Sequence, residues 1–321
     1  MKAKLATLAL ALLACSQAAT PSASALEIEL NPVQARQGDT VQVLLHSEHG
    51  ESDGAKNRTS SAASVSTVSA TVDGSDSTDG VTPPVLRFRN KTYKAFPFTA
   101  HAADDSASQS AGHERSWRVL LSVPADLPPG KYMIKSGTSE VPLKVIDAGF
   151  GVQILHLPKS KNNFNGSPGE PQTVDAAKAT VSPRQYWDGK FLRPSKARTS
   201  SPFGLRRRVN GVLLKDYFHS GLDFAGAAGS PVLATQTGKV LIAHEGWKLH
   251  GNTICIDHGQ GVLSFYIHLS HIFVKEGDIV KAGEKIGAIG SSGRANGPHL
   301  HFSIYVNNEA TNPSDWFNNE Y

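Results

Sequence analysis

Five side chains in the last third of the chain could hold and use a metal ion: His219, Asp223, His268, His299 and His301. Histidine and aspartate are common zinc ligands, and a catalytic zinc site needs three protein ligands plus one open position for water. This set supplies three ligands and leaves two histidines, a residue type suited to proton transfer near neutral pH. The residue types therefore indicate a mononuclear zinc site with hydrolytic chemistry.

His299 and His301 are separated by one leucine, in a segment whose apolar residues alternate at positions 300, 302, 304 and 306. This alternation predicts a half-buried strand, on which residues two apart share a face. We expect one histidine to bind the metal and the other to face the substrate. The pattern also fits two solvated histidines on the polar face of a strand, so the triplet alone does not establish a site.

His219 and Asp223 are four residues apart, a spacing that would also place them on one face of a helix. Gly221 lies between them and a glycine-rich stretch with Pro231 follows, which favours a loop that runs into a short strand. Taken alone, the pair favours a surface histidine and a turn-forming aspartate over a metal site.

Four segments in order along the chain resemble those of the lysostaphin-type (LytM-like) zinc metalloendopeptidases, which act on peptidoglycan. The segments are 201–207 (SPFGLRR), 218–224 (FHSGLDF), 266–270 (YIHLS) and 287–302 (GAIGSSGRANGPHLHF). The resemblance spans roughly residues 185 to 318 and implies an antiparallel β-sheet domain that carries Zn2+ on one face.

The resemblance assigns a role to each of the five side chains. It implies that His219, Asp223 and His301 are the metal ligands. His268 and His299 become the catalytic pair that orients or deprotonates the water and stabilises the oxyanion. The implied activity is hydrolysis of peptide bonds in peptidoglycan stem peptides or cross-bridges, for cell wall remodelling.

A second function remains open at this level. Relatives that have lost activity usually lack one or more ligands, and act on the wall by binding peptidoglycan or by activating an amidase. All five functional positions are filled here, which favours an enzyme over such a non-catalytic envelope module.

Other polar features favour structural interpretations. His244, His250, His258 and His271 match no ligand position and are expected on the surface or in loops, although His250 with Trp247 could line a substrate groove. Tyr266 could shape the site or simply pack. A Gly-x-Ser-x-Gly motif is absent here, which leaves a serine hydrolase without support.

The charge balance argues against a nucleic-acid partner. The net charge is +4, and the basic residues are scattered except for the run 206–208. That run is interpreted as part of a strand in the peptidase motif. A mildly basic chain also suits a wall polymer that carries anionic groups.

Residues 1–25 are typical of a signal peptide, with basic residues, an apolar stretch at 5–14 and small residues before position 26. The apolar stretch is too short to span a bilayer, so we expect an exported protein of the periplasm or cell envelope. Alternatively, Cys15 lies in a sequence that resembles a lipoprotein cleavage box and would then carry a lipid anchor. Cys255, in an apolar pattern, is expected to be buried.

The remaining chain divides into three predicted parts. Alternating short strands over 26–147 predict an immunoglobulin-like β-sandwich with a low-complexity loop at 50–80. Residues 148–185 are predicted to be an extended linker with a short helix near 174–180, and 186–321 to be the peptidase domain. The first domain could bind wall, meet a regulatory partner, inhibit the enzyme intramolecularly or act as a spacer.

Overall fold

The computed structural model of the protein describes residues 26–47, 82–99, 116–156 and 165–321. Strands are the main regular structure of these residues, which also contain the short helices α1 (Glu170–Lys178) and α2 (Pro313–Asn318). The all-β class predicted from the sequence is confirmed. The predicted signal peptide 1–25 and the loop 50–80 lie outside the described residues.

The first unit is a pair of sheets around one apolar core. Its strands are β1 (Leu26–Asn31), β2 (Gln34–Arg36), β3 (Thr40–Ser47), β4 (Val85–Phe88), β5 (Lys91–Lys94), β6 (Phe96–Phe98), β7 (Ser116–Ser122), β8 (Gly130–Ser136) and β9 (Ser139–Ile146). One sheet has the order β1-β3-β7-β6 and the other β2-β9-β8-β4-β5. Alternate residues of β3, namely Val41, Val43 and Leu45, are fully buried between the sheets. The immunoglobulin-like identity of this sandwich stays a prediction.

The second unit is built on one large, mostly antiparallel sheet. Its strands are β11 (Arg198–Ser201), β14 (Leu222–Ala225), β15 (Pro231–Leu233), β16 (Gly238–Trp247), β17 (Gly251–Gly259), β18 (Val262–Ile272), β19 (Ile279–Val280), β20 (Lys285–Ile289), β21 (His299–Val306) and β22 (Glu309–Thr311). The main order is β11-β14-β21-β18-β17-β16-β19. Leu300, Phe302, Ile304 and Val306 of β21 are fully buried in its core, so the alternation predicted for this strand is present. A small second sheet contains β10 (Val152–Leu155), β12 (Arg206–Val209) and β13 (Val212–Leu213).

Two described parts of the stretch expected to be an extended linker, β10 and α1, pack against the second unit. Strand β10 pairs in parallel with β12. Helix α1 overlaps the predicted helix near 174–180, and its Val174 and Ala177 pack with Trp247 and Cys255 in a small core cluster. Cys255 is fully buried, as expected. Neither helix in the described ranges has the length and apolar character needed to cross a bilayer.

Buried hydrogen bonds join the two units. Thr40 Oγ1 lies 2.7 Å from Thr311 Oγ1 and accepts from Trp316 Nε1 at 3.0 Å. Asn312 N donates to Gly38 O at 2.7 Å. The buried Arg118 donates from Nη2 to Gln260 Oε1 at 2.7 Å. Because buried polar groups are costly unless they are paired, this network fixes how the units sit against each other.

A carboxyl pair at this interface gives a prediction about pH. Burial, together with Asp39 beside it, raises the pKa of Asp315 to about 7. Folding therefore favours the protonated carboxyl of Asp315. This group's contribution to the free energy of unfolding is present at acid pH and is lost as the pH rises through 7. We expect Asp315→Asn to be more stable than the wild type by about 1 to 2 kcal/mol at pH 8, with the gain vanishing towards pH 4.

Thermal unfolding across this pH range tests the expectation. Asp126→Asn, on an exposed turn, is the matched control and should parallel the wild type at every pH. Parallel curves for Asp315→Asn and the wild type would contradict the assignment.

Candidate active site

The site is built on the pairing of β14 with β21. In this antiparallel register Asp223 lies directly opposite His301. Directly opposed residues on neighbouring strands are within side-chain reach, and here Asp223 Oδ1 lies 2.9 Å from His301 Nδ1. Since β21 also pairs with β18, the histidines of β21 have a strand on each side.

His219 joins this pair because the segment before β14 lies directly against β21. A Cβ atom on Gly221 would be 2.1 Å from Phe302 O, so only glycine permits this approach without a shift. His219 Nε2 consequently lies 3.1 Å from Asp223 Oδ1 and 3.0 Å from His301 Nδ1. The predicted loop running into a short strand is what brings the two residues of this segment to the site.

Outer partners orient the two histidine rings. His219 donates from Nδ1 to Pro202 O at 2.7 Å, and His301 Nε2 lies 2.8 Å from Ser303 Oγ. A carbonyl oxygen can only accept, so His219 carries its proton on Nδ1 and presents a lone pair on Nε2 to the other two residues. Such partners are typical of histidines that bind a metal.

The three converging atoms fit a single zinc ion. They are 2.9 to 3.1 Å apart. Ligand atoms of a tetrahedral zinc site with bonds of 2.0–2.1 Å would be about 3.3 Å apart, so small adjustments suffice. Burial opposes the charge on Asp223, but the adjacent imidazoles of His219 and His301 outweigh it and hold the pKa of the carboxyl well below its usual range. Two imidazoles and one carboxylate are a typical zinc donor set.

His268 and His299 lie beside the three converging residues. Their ring centroids are 4.9 Å apart, and His299 Nε2 is 3.9 Å from Asp223 Oδ1. His268 donates from Nδ1 to Ser292 O at 2.9 Å, and His299 donates from Nδ1 to Gly297 O at 2.9 Å. In the neutral form of each ring, Nε2 is then the nitrogen that carries the lone pair.

The backbone of His268 is held in an unusual conformation. Its φ is +64°, a left-handed value that is uncommon for residues other than glycine. The N–H of His268 donates to His250 O at 3.0 Å, which holds this conformation. Burial, with His299 and His301 nearby, lowers the pKa of His268 to about 3, so its ring is neutral near pH 7.

All five residues line one cavity of about 430 Å³. Its walls also include residues that the motif analysis did not assign: Gln153, Arg207, Tyr217, His250 and Arg294. Arg207 had been interpreted only as part of a strand, and no local pattern marks Gln153. Within the described ranges, residues 26–147 contribute nothing to this lining.

Glu170, at the start of α1, shapes one wall of the cavity. It is fully buried and accepts hydrogen bonds from His250 N at 2.8 Å, His250 Nδ1 at 2.6 Å and Leu249 N at 3.2 Å. Burial would raise its pKa, but the hydrogen bonds lower it to about 2. His250 faces the cavity, as the groove alternative expected, whereas Trp247 is buried beneath α1. Sequence reasoning missed Glu170 because its partners lie far along the chain.

Two further side chains prove to be structural. His258 was expected at the surface, and that expectation is wrong. It is fully buried, donates from Nδ1 to Thr237 O at 2.8 Å, and burial lowers its pKa to about 4. Tyr266 is also fully buried, and its hydroxyl accepts from Thr235 N at 2.8 Å, which agrees with a packing role.

The fold and site define a class, an all-β domain with a His-Asp-His metal site and two adjacent histidines. Residues 217–313 match the sequence model of Peptidase family M23. This stretch of the second unit is therefore similar to peptidase family M23, whose members are zinc metallopeptidases.

Individual proteins show the same relationship. The chain is 42% identical over 117 residues to the DD-carboxypeptidase/endopeptidase Mpg of Neisseria meningitidis, which covers 36% of this chain and 26% of that one. It is 39% identical over 118 residues to the peptidoglycan DD-endopeptidase ShyA of Vibrio cholerae, and this match covers 37% of this chain and 27% of ShyA. A crystal structure of a Pseudomonas aeruginosa protein assigned to peptidase M23 has a TM-score of 0.53 and 26% identity, covering 73% of this chain and 87% of that one. The chain spans about a quarter of the length of the curated relatives it matches.

Gly221→Ala tests whether the close approach of the two segments builds the metal site. The added Cβ must push the 219–223 segment away from Phe302, which separates His219 and Asp223 from His301. We expect zinc affinity to fall about 10- to 100-fold, a loss typical when support of metal ligands is disturbed. Titration of zinc against a competing chelator measures it. Gly130→Ala, where the Cβ would have ordinary contacts, should bind zinc like the wild type.

Glu170→Gln tests the support of the His250 wall. The substituted amide loses the charge that the N–H of Ser167, the N–H groups of Leu249 and His250 and the ring N–H of His250 share, so we expect about 1 to 3 kcal/mol of destabilisation. The variant should also lose activity, because His250 O holds the backbone of His268. Thermal unfolding and zinc content are measured together. Asp175→Asn, on the exposed face of the same helix, serves as the control. Equal stability of all three proteins would contradict the role given to Glu170.

Proposed function

We propose that this protein is a zinc-dependent endopeptidase that hydrolyses peptide bonds in peptidoglycan stem peptides or cross-bridges, in cell wall remodelling. The observation that carries the proposal is the meeting of five residues in one cavity: His219, Asp223, His268, His299 and His301. The family match and the names of the relatives Mpg and ShyA support the substrate class.

In this proposal His219, Asp223 and His301 hold the zinc ion through Nε2, Oδ1 and Nδ1 respectively. When bound, zinc supplies a Lewis acid that polarises a carbonyl and acidifies water. Pro202 O and Ser303 Oγ keep the two ligand rings in orientation, so little reorganisation is needed when the substrate arrives.

His268 and His299 act on protons and on developing charge. Each presents an unprotonated Nε2 because its Nδ1–H is bound to a backbone carbonyl. One of these nitrogens accepts a proton from the attacking water and returns it to the leaving amine. The other takes up a proton from solvent on Nε2 and donates a hydrogen bond from it to the oxyanion that forms on the scissile carbonyl.

The location follows from the substrate. Peptidoglycan lies outside the cytoplasmic membrane, so we propose that the chain acts in the periplasm or cell envelope. Residues 1–25 would serve as the export signal, or Cys15 would carry a lipid anchor.

Digestion of purified peptidoglycan by the full-length protein tests the function, with released fragments identified by mass spectrometry. We expect His219→Ala and metal chelation to abolish release, and His299→Ala to lower it by about 10²- to 10⁴-fold, as for loss of a general acid–base. His271→Ala, an exposed histidine on β18, should cleave normally.

The outcomes separate the enzyme from a binding module. A wild-type protein that binds peptidoglycan without releasing fragments, and binds equally well as His299→Ala, would be the non-catalytic envelope module. Normal cleavage by His299→Ala would overturn the role given to that residue.

A further inference from the structure

Two arginines face into the cavity that holds the metal site. Arg207 lies on β12 and Arg294 in the turn between β20 and β21. The guanidinium of Arg207 lies over the ring of Tyr217, 4.7 Å from its centroid, and Tyr217 lines the same cavity. Arg294 is anchored through its backbone, whose N–H donates to Leu249 O at 3.0 Å. Both cations are therefore held on walls of the site by fixed elements.

The charge balance of the cavity is one-sided. Among the described residues that line it, Asp223 is the sole acidic one, and that carboxylate is committed to His219 and His301. Burial, together with the like charge of the nearby Arg207, lowers the pKa of Arg294. A metal ion in the site would add further positive charge. An anion from outside the chain would relieve this repulsion.

The polar atoms of the pair also point to a ligand. Arg207 Nε is buried and has no hydrogen-bond partner within the described parts of the chain. Guanidinium groups bind carboxylates through two parallel hydrogen bonds, so two of them lining one cavity suit a carboxylate better than an amide or a hydroxyl group.

We infer that Arg207 and Arg294 form a carboxylate subsite, which binds a free carboxylate of the substrate peptide while its scissile bond lies at the metal. The inference rests on the proposed function and narrows it, because the preferred substrates are peptides with free carboxylates rather than amidated ones. Both arginines act as specificity-determining residues. Arg207 lies outside the stretch 217–313 that matches the family, so β12, paired with β10, supplies part of the specificity.

Paired peptides test the subsite. One is a synthetic peptidoglycan stem pentapeptide with its carboxylates free, and the other is the same peptide with every carboxyl converted to a carboxamide. Binding is measured by calorimetry with the zinc-loaded full-length protein in a His299→Ala background, which prevents turnover. Cleavage of a cross-linked dimer of each peptide is measured in the wild-type background.

Arg207→Gln and Arg294→Gln are compared with Arg208→Gln. Arg208 lies next to Arg207 on β12 but is exposed and does not line the cavity. We expect each of the first two variants to weaken binding of the carboxylate peptide about 10- to 100-fold, the range of one lost charged hydrogen bond. Binding of the carboxamide peptide should not change. In cleavage, KM should rise with little change in kcat, and Arg208→Gln should behave like the wild type.

The two readouts keep the inference separate from the proposed function. Absence of cleavage by the wild type, with an arginine-dependent preference for the carboxylate peptide, would reject the peptidase and keep the subsite. A preference that survives in both arginine variants would place the carboxylate elsewhere, such as on the metal, and overturn the inference. Equal binding of the two peptides by the wild type would also overturn it. If Arg207→Gln fails to fold, the binding of the two peptides by Arg294→Gln tests the inference by itself.

Discussion

The site depends on the contact between the 219–223 segment and strand β21. Antiparallel pairing sets Asp223 opposite His301, and the missing side chain of Gly221 lets His219 lie against the same strand. Three ligand atoms from two distant parts of the chain thereby come within 3.1 Å of one another. The core beneath β21, built from its alternate apolar residues, keeps that strand in register, because a slip by one residue would turn both histidines into the core.

Backbone carbonyls orient three of the histidine rings in the site. Three histidines donate a hydrogen bond from Nδ1 to a backbone carbonyl: His219 to Pro202 O, His268 to Ser292 O and His299 to Gly297 O. A carbonyl that accepts this hydrogen bond holds the proton on Nδ1, and in the neutral ring the lone pair is then on Nε2. The backbone therefore sets the tautomers that the proposed metal binding and proton transfer would use, and electrostatic preorganisation requires such prior placement.

Part of the cavity wall comes from residues that precede the family-matched stretch. All five central residues lie within the stretch that matches the family, whereas Gln153 and Arg207 lie before it. Glu170, also before it, holds the His250 wall through buried hydrogen bonds. The central residues and part of the walls thus lie inside the family-matched stretch, whereas the rest of the walls and their support come from residues before it. The described part of the first unit packs elsewhere on the domain and leaves the cavity lining untouched.

The sequence by itself determined the chemistry and much of the architecture. Alternation around His299 and His301 indicated a strand, Gly221 indicated a loop into a strand, and the ordered segments indicated the peptidase family. These features are local, so periodicity and turn chemistry reveal them. Tertiary structure alone decided that Glu170 holds the turn at Leu249 and His250. It also decided that His258 is buried against Thr237, and that Arg207 and Arg294 share a cavity. Each of these depends on contacts between residues far apart in the chain, which packing establishes and no local pattern encodes.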